Sequence, residues 1–81
     1  MAQGRATNNG RAEMDIYAQR RVYEEFKERG FGPDATAMRA AGYGGSLGDE
    51  YQRGVAGLPP FSAPDSIARG AWKAGKEYRH K

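Results

Sequence analysis

The chain has 81 residues, and 31 are apolar, but 13 of those 31 are alanine and Leu, Ile, Val and Phe together supply only nine. So thin a core excludes a large enzyme fold, a multidomain chain or a deep pocket walled by its own interior, and makes folding marginal or completed by a partner. Thirteen Lys and Arg against ten Asp and Glu give a net charge of +3, a mild bias toward anionic partners, and the absence of cysteine excludes disulfides and thiolate metal sites.

No export signal is legible, and no apolar run approaches the roughly 20 residues of a membrane span. These features lead us to expect a small cytoplasmic protein without membrane association. Residues 1–11, MAQGRATNNGR, contain nothing bulky to bury, so ordering them brings no return for the entropy lost. This stretch is expected to be a disordered arm, either a solvated terminus or a basic segment that folds on nucleic acid. Residues 12–81 are expected to form one helical domain.

From Ala12, Ile16, Gln19, Val22, Tyr23 and Phe26 fall at helical spacing, with Arg20, Arg21, Glu24, Glu25 and Glu28 on the other sides. A first helix is predicted to end near Arg29, where Gly30 can adopt the left-handed cap conformation and Phe31 can fold back on Phe26. The charge pairs Arg20 with Glu24, Arg21 with Glu25 and Glu25 with Arg29 have i,i+4 spacing, the pattern of an ordinary helix surface. Pro33 and Asp34 start a short second helix over residues 35–41, with Met38 facing inward and Gly42 closing it. Tyr43, Gly44 and Gly45 make a turn.

A third helix can open at Ser46 as hydroxyl cap with Asp49 three residues on, placing Leu47, Tyr51 and Val55 on one face, and it ends at Gly57, Pro59 and Pro60. The link LPPFSAP is too proline-rich for a helix, and Phe61 is expected to tuck beneath it as a plug. The last helix, capped by Ser62 or Asp65, runs through Ile67, Ala71, Trp72 and Tyr78. At 100° per residue Arg69, Lys73, Lys76 and His80 are expected to share a narrow stripe, with Ala68, Trp72, Gly75, Ala71, Tyr78, Ile67 and Ala74 on most of the opposite side. From Ile67 to Lys81 there are five Lys or Arg and one Glu, so most of the excess charge sits here. That placement either suits the helix macrodipole or forms an anion-binding face.

Three glycines, Gly54, Gly70 and Gly75, lie inside predicted helices, where each costs roughly 1 kcal/mol relative to alanine. Close backbone approach of the third and fourth helices around Trp72 is the expected compensation, with Trp72 as the most buried large side chain.

Catalytic chemistry finds little support. The sole histidine, His80, is the penultimate residue, so no Ser-His-Asp or acid-base arrangement has a rigid site. Glu24, Glu25 and Glu28 read as a solvated face rather than a metal site, and Gly42 to Gly45 lack the Gly-Lys-Ser/Thr ending of a phosphate loop. No cofactor, metal or small-molecule substrate is implied, and a non-enzymatic role is expected.

Two resemblances sharpen these expectations. The stretch DEYQRGVAGLPPFSAPDSIARGAWKAGKEYR, residues 49–79, resembles the ribosome modulation factor family in Gly54, Gly57, Pro64, Arg69, Trp72 and Gly75: a Gly-x-x-Gly helix end, a proline-containing link and then Arg-x-x-Trp-x-x-Gly. That resemblance implies a two-helix hairpin that binds the ribosome. The stretch FKERGFGPDATAMRAAGY, residues 26–43, is similar to the helix-turn-helix of phage terminase small subunits in Ala35, Thr36, Ala37, Ala41, Gly42 and Tyr43, which implies DNA binding.

The combined expectation is an all-α, four-helix domain with a C-terminal helical hairpin and a disordered N-terminal arm. It would bind the ribosome or RNA through Arg53, Arg69, Lys73, Lys76 and Arg79, with Trp72, Gly54, Gly57 and Gly75 holding the hairpin. Two alternatives are a phage-encoded interaction protein that inhibits a host factor through Tyr17, Tyr43, Phe61 or the acidic patch, and a helix-turn-helix DNA-binding protein using Arg39 and Arg53.

Overall fold

The computed structural model contains four helices, α1 (Ala2–Arg29), α2 (Ala35–Ala40), α3 (Ser46–Ala56) and α4 (Ala68–Arg79), and no strand among the described residues. It describes the backbone of residues 2–80 and the side chains of residues 16–80; the arm expected over residues 1–11 lies outside the described side chains. The expected C-terminal hairpin is present: α3 and α4 pack against each other over most of their length, α1 lies along α4, and the short α2 sits against α3.

Glycine closes three helices as its freedom at positive φ predicts. At Gly30 (φ 58°) the N–H donates to the Phe26 carbonyl, and Phe31 then folds back edge-on to Phe26 with ring centroids 6.0 Å apart. After α2, Gly42 and Tyr43 donate to the carbonyls of Arg39 and Met38; after α3, Gly57 and Leu58 donate to those of Gly54 and Arg53. Both ends have the paired bonds of a Schellman motif.

Helix starts differ from expectation in two places. Gly45, not Ser46, occupies the N-cap of α3, and no side chain caps it; Asp49 remains in the first turn, where a carboxylate suits the positive end of the macrodipole. At α4 the N-cap is Ile67, also without a side-chain cap: neither Ser62, which bonds Glu50, nor Asp65 caps the helix. At α2 the cap is conventional, Asp34 accepting from the Ala37 N–H at 3.0 Å.

The core is aromatic and small-residue rather than aliphatic. Phe26, Met38, Tyr51, Ala71 and Ala74 are buried, with Val22, Tyr23, Phe31, Tyr43, Leu47 and Val55 packed around them. Phe26 and Tyr51 stack with centroids 5.0 Å apart, and Tyr43 tilts onto Phe26 at 4.6 Å. Such pairs add about 0.5–1.5 kcal/mol each beyond their burial, which matters in a chain with few aliphatic groups. The Tyr51 hydroxyl accepts the buried Gly32 N–H at 2.9 Å, so the turn before α2 is tied to α3.

The expectation that Trp72 is the most buried large side chain is corrected here. Tyr51 and Phe26 hold that position, at 0% and 1% exposure, whereas Trp72 is half-buried. The backbones of α3 and α4 approach so closely at Gly54 and Gly75 that no indole fits between them. Alanines 71 and 74 fill that seam, and Trp72 is displaced to its edge. Phe61 is not a plug beneath the link either; it is 81% exposed.

Candidate nucleic-acid interface

The candidate face is built on α4 and the link that precedes it. The link, residues 57–67, has no regular structure, so its backbone groups need partners from outside it. Glu50 supplies several. It projects from the apolar face of α3, is 4% exposed, and its carboxylate accepts from the Phe61 N–H at 3.0 Å, the Ser62 N–H at 3.3 Å and the Ser62 hydroxyl at 2.7 Å. Burial pushes its pKa up, but the three hydrogen bonds and the nearby Arg53 outweigh that, and the net shift is downward.

Arg69 completes the clamp from the other side. Its guanidinium donates to the Ser62 carbonyl and, at 3.4 Å, to the Ser62 hydroxyl. Arg53 donates through Nε to the Pro59 carbonyl at 2.7 Å and lies 3.7 Å from the centroid of the Phe61 ring. The Trp72 indole N–H donates to the Leu58 carbonyl at 2.8 Å. Two of the five expected nucleic-acid contacts, Arg53 and Arg69, therefore hold the link in place. Arg79 reaches back to the Val55 carbonyl at 3.3 Å, but stays exposed.

Lys73 and Lys76 point outward from α4 and are exposed. Trp72 does not oppose the basic stripe but stands within it: Lys76 Nζ lies 5.1 Å and Arg69 Cζ 5.5 Å from its ring, distances at which cations are held by the aromatic quadrupole. The sole carboxylate of α4, Glu77, is turned toward α1, where it accepts from the Tyr23 hydroxyl at 2.5 Å and meets Lys27 at 3.9 Å. Among the described residues, none of Arg53, Arg69, Lys73, Lys76 and Arg79 forms an ion pair with a carboxylate. The outer face of α4 thus keeps its positive charge uncompensated.

Gly54 and Gly75 lie at the α3–α4 crossing, and Gly57 (φ 78°) lies at the end of α3. Gly70 lies against α1, since a Cβ there would lie 2.1 Å from the Gln19 carbonyl oxygen. Of the i,i+4 pairs, Arg20 and Glu24 meet at 3.6 Å on the surface, whereas Glu25 instead accepts from the Tyr43 hydroxyl. Reading by residue type passed over Glu50. The available signal was its position on the same helical face as Leu47, Tyr51 and Gly54, where a lone carboxylate is out of place unless it is hydrogen-bonded.

A groove of about 380 Å3 runs beside this face, bounded by Leu58, Pro59, Trp72, Lys76, Arg79 and His80. Among the described residues no group of three or more His, Asp or Glu side chains is placed to hold a metal ion, and no helix is long and apolar enough to cross a membrane. Comparison of the chain with known protein families, curated proteins and solved structures finds no match.

Proposed function

We propose that this protein is a non-enzymatic RNA-binding factor of the ribosome-associated kind, which sets the outer face of α4 against RNA phosphates. The observation that carries the reading is the set of exposed cations on α4: Lys76 stands beside the Trp72 ring, Lys73 is exposed one turn before Glu77, and Glu77 is engaged by Tyr23 and Lys27 of α1. Cations interleaved with an aromatic ring match what RNA offers, a line of phosphates and bases with open π faces. Arg79 extends the line, whereas Arg53 and Arg69 support it by fixing the link.

The test is RNA and ribosome binding as a function of salt. Each phosphate contact contributes roughly 0.7–0.9 to the slope of log affinity against log salt, so Lys73→Glu with Lys76→Glu should flatten the slope by about one and a half and abolish binding at moderate salt. Reversal of Arg20 and Arg21 on α1 should matter less, since Glu24 stands 3.6 Å from Arg20. Unchanged binding by the Lys73, Lys76 double variant would remove the reading.

A second reading, an interaction protein that docks on a host factor, draws on Phe61 and Tyr17, which are 81% and 72% exposed. An interface of aromatic anchors responds weakly to salt, and the same titration separates the two.

A further inference from the structure

The link carries a large aromatic ring where folding gives no reason for one. Phe61 leaves 81% of its surface in solvent, yet it is firmly held. Its N–H is anchored on Glu50, Pro59 and Pro60 restrict the backbone just before it, and the Arg53 guanidinium backs the ring at 3.7 Å. Arg53 is itself fixed by the Pro59 carbonyl. One face of the ring is thus occupied by a cation and the other is open.

The shallow cleft beside Phe61, about 430 Å3 and bounded also by Arg53 and Leu58, adjoins at Leu58 the groove that contains Trp72, Lys76 and Arg79. Across both, the cations Arg53, Lys76 and Arg79 stand against a single carboxylate, Asp49. The surface is therefore a shelf of two aromatic rings joined through an exposed leucine and rimmed by cations.

We infer that this shelf, Phe61 backed by Arg53 and continued through Leu58 to Trp72, is a stacking platform for the unpaired bases of an RNA single strand or loop. The inference rests on the RNA-binding reading above and adds to it the class of RNA. In a duplex the bases are stacked on one another and present no face to a ring, and the A-form major groove is too narrow for side chains. A single strand offers both bases for Phe61 and Trp72 and phosphates for Lys76 and Arg79. A ring already fixed before binding also loses little freedom when a base settles on it.

The experiment compares the full-length chain with an oligoadenylate of roughly 12 nucleotides, within the usual site sizes, and an RNA duplex of similar length, using labelled RNA and the emission of Trp72. The oligoadenylate should bind at least about tenfold more tightly and change the Trp72 emission. Phe61→Ala should weaken oligoadenylate binding about 5- to 100-fold, leave duplex binding and the salt slope unchanged, and be rescued by Phe61→Tyr. Because the ring is exposed, the melting temperature should not move, so lost binding is not lost folding. If Phe61→Ala binds oligoadenylate like wild type while the Lys73, Lys76 double variant does not bind, the platform is overturned and the RNA-binding reading stands. Equal loss of both RNAs would also overturn it. If wild type binds neither RNA, the RNA-binding reading itself falls and takes the platform with it.

Discussion

Gly54 on α3 and Gly75 on α4 face each other with no room for a methyl group between the helices. A Cβ at Gly54 would lie 2.2 Å from the Trp72 carbonyl oxygen, and one at Gly75 would lie 2.1 Å from the Tyr51 carbonyl oxygen. Both obstacles are backbone atoms, so no rotamer change relieves them. Gly54→Ala and Gly75→Ala should each cost about 2–3 kcal/mol or more, despite the gain in helix propensity, and lower the melting temperature by about 10 °C or more. Gly45→Ser is the contrasting variant: its extended φ of −95° suits any residue, nothing lies within 4 Å, and the hydroxyl can cap α3, so thermal melts should show stability equal to or slightly above wild type.

The core should prove centred on Phe26 and Tyr51 rather than on the tryptophan. Phe26→Ala is expected to cost about 3–5 kcal/mol and to unfold much of the population, whereas Trp72→Phe should retain a cooperative melt with a smaller loss, since the ring is half-buried and gives up chiefly the bond to Leu58. Urea denaturation of the two variants checks the order, and the reverse order would relocate the core.

Glu50 makes the link sensitive to acid. Its folded pKa lies below its ordinary value of 4.5, so folding binds the deprotonated form more strongly. The sign follows from linkage: the stabilisation is present in full above the unfolded value and is lost as pH falls through the folded one. Wild-type stability should therefore decline below about pH 4.5, and Glu50→Gln should flatten that part of the pH profile while lowering stability at pH 7 by about 2 kcal/mol. Denaturant melts from pH 3 to 7 test both statements.

Three tyrosines should resist ionisation. Tyr23 and Tyr43 have raised pKa values chiefly because their hydroxyls donate to Glu77 and Glu25, and Tyr51 because it is buried. A raised folded pKa gives stability that is present below the unfolded value near 10 and is lost as pH rises through the folded one. Phenolate absorbance should show Tyr23, Tyr43 and Tyr51 titrating above pH 10, and Glu77→Gln should bring Tyr23 down without moving Tyr51.

Local signals in the sequence determined much of this protein: an all-α chain, glycine at the ends of the first three helices, the Phe26–Phe31 contact, a hairpin across a proline-rich link, and glycines kept inside helices for close approach. Each depends on neighbours within a turn or on the single property of lacking a Cβ, so each is visible in one dimension. Tertiary structure decided the rest. Whether Trp72 or Tyr51 fills the centre depends on how near α3 and α4 come, and the glycines bring them near enough to expel the indole. Whether Arg69 and Arg53 are free depends on the unpaired backbone of the link, which recruits them together with Glu50 from another helix. Periodicity assigns a residue to a face of its own helix, but only the packed neighbours decide whether that face meets solvent, another backbone or a loop whose carbonyls require donors.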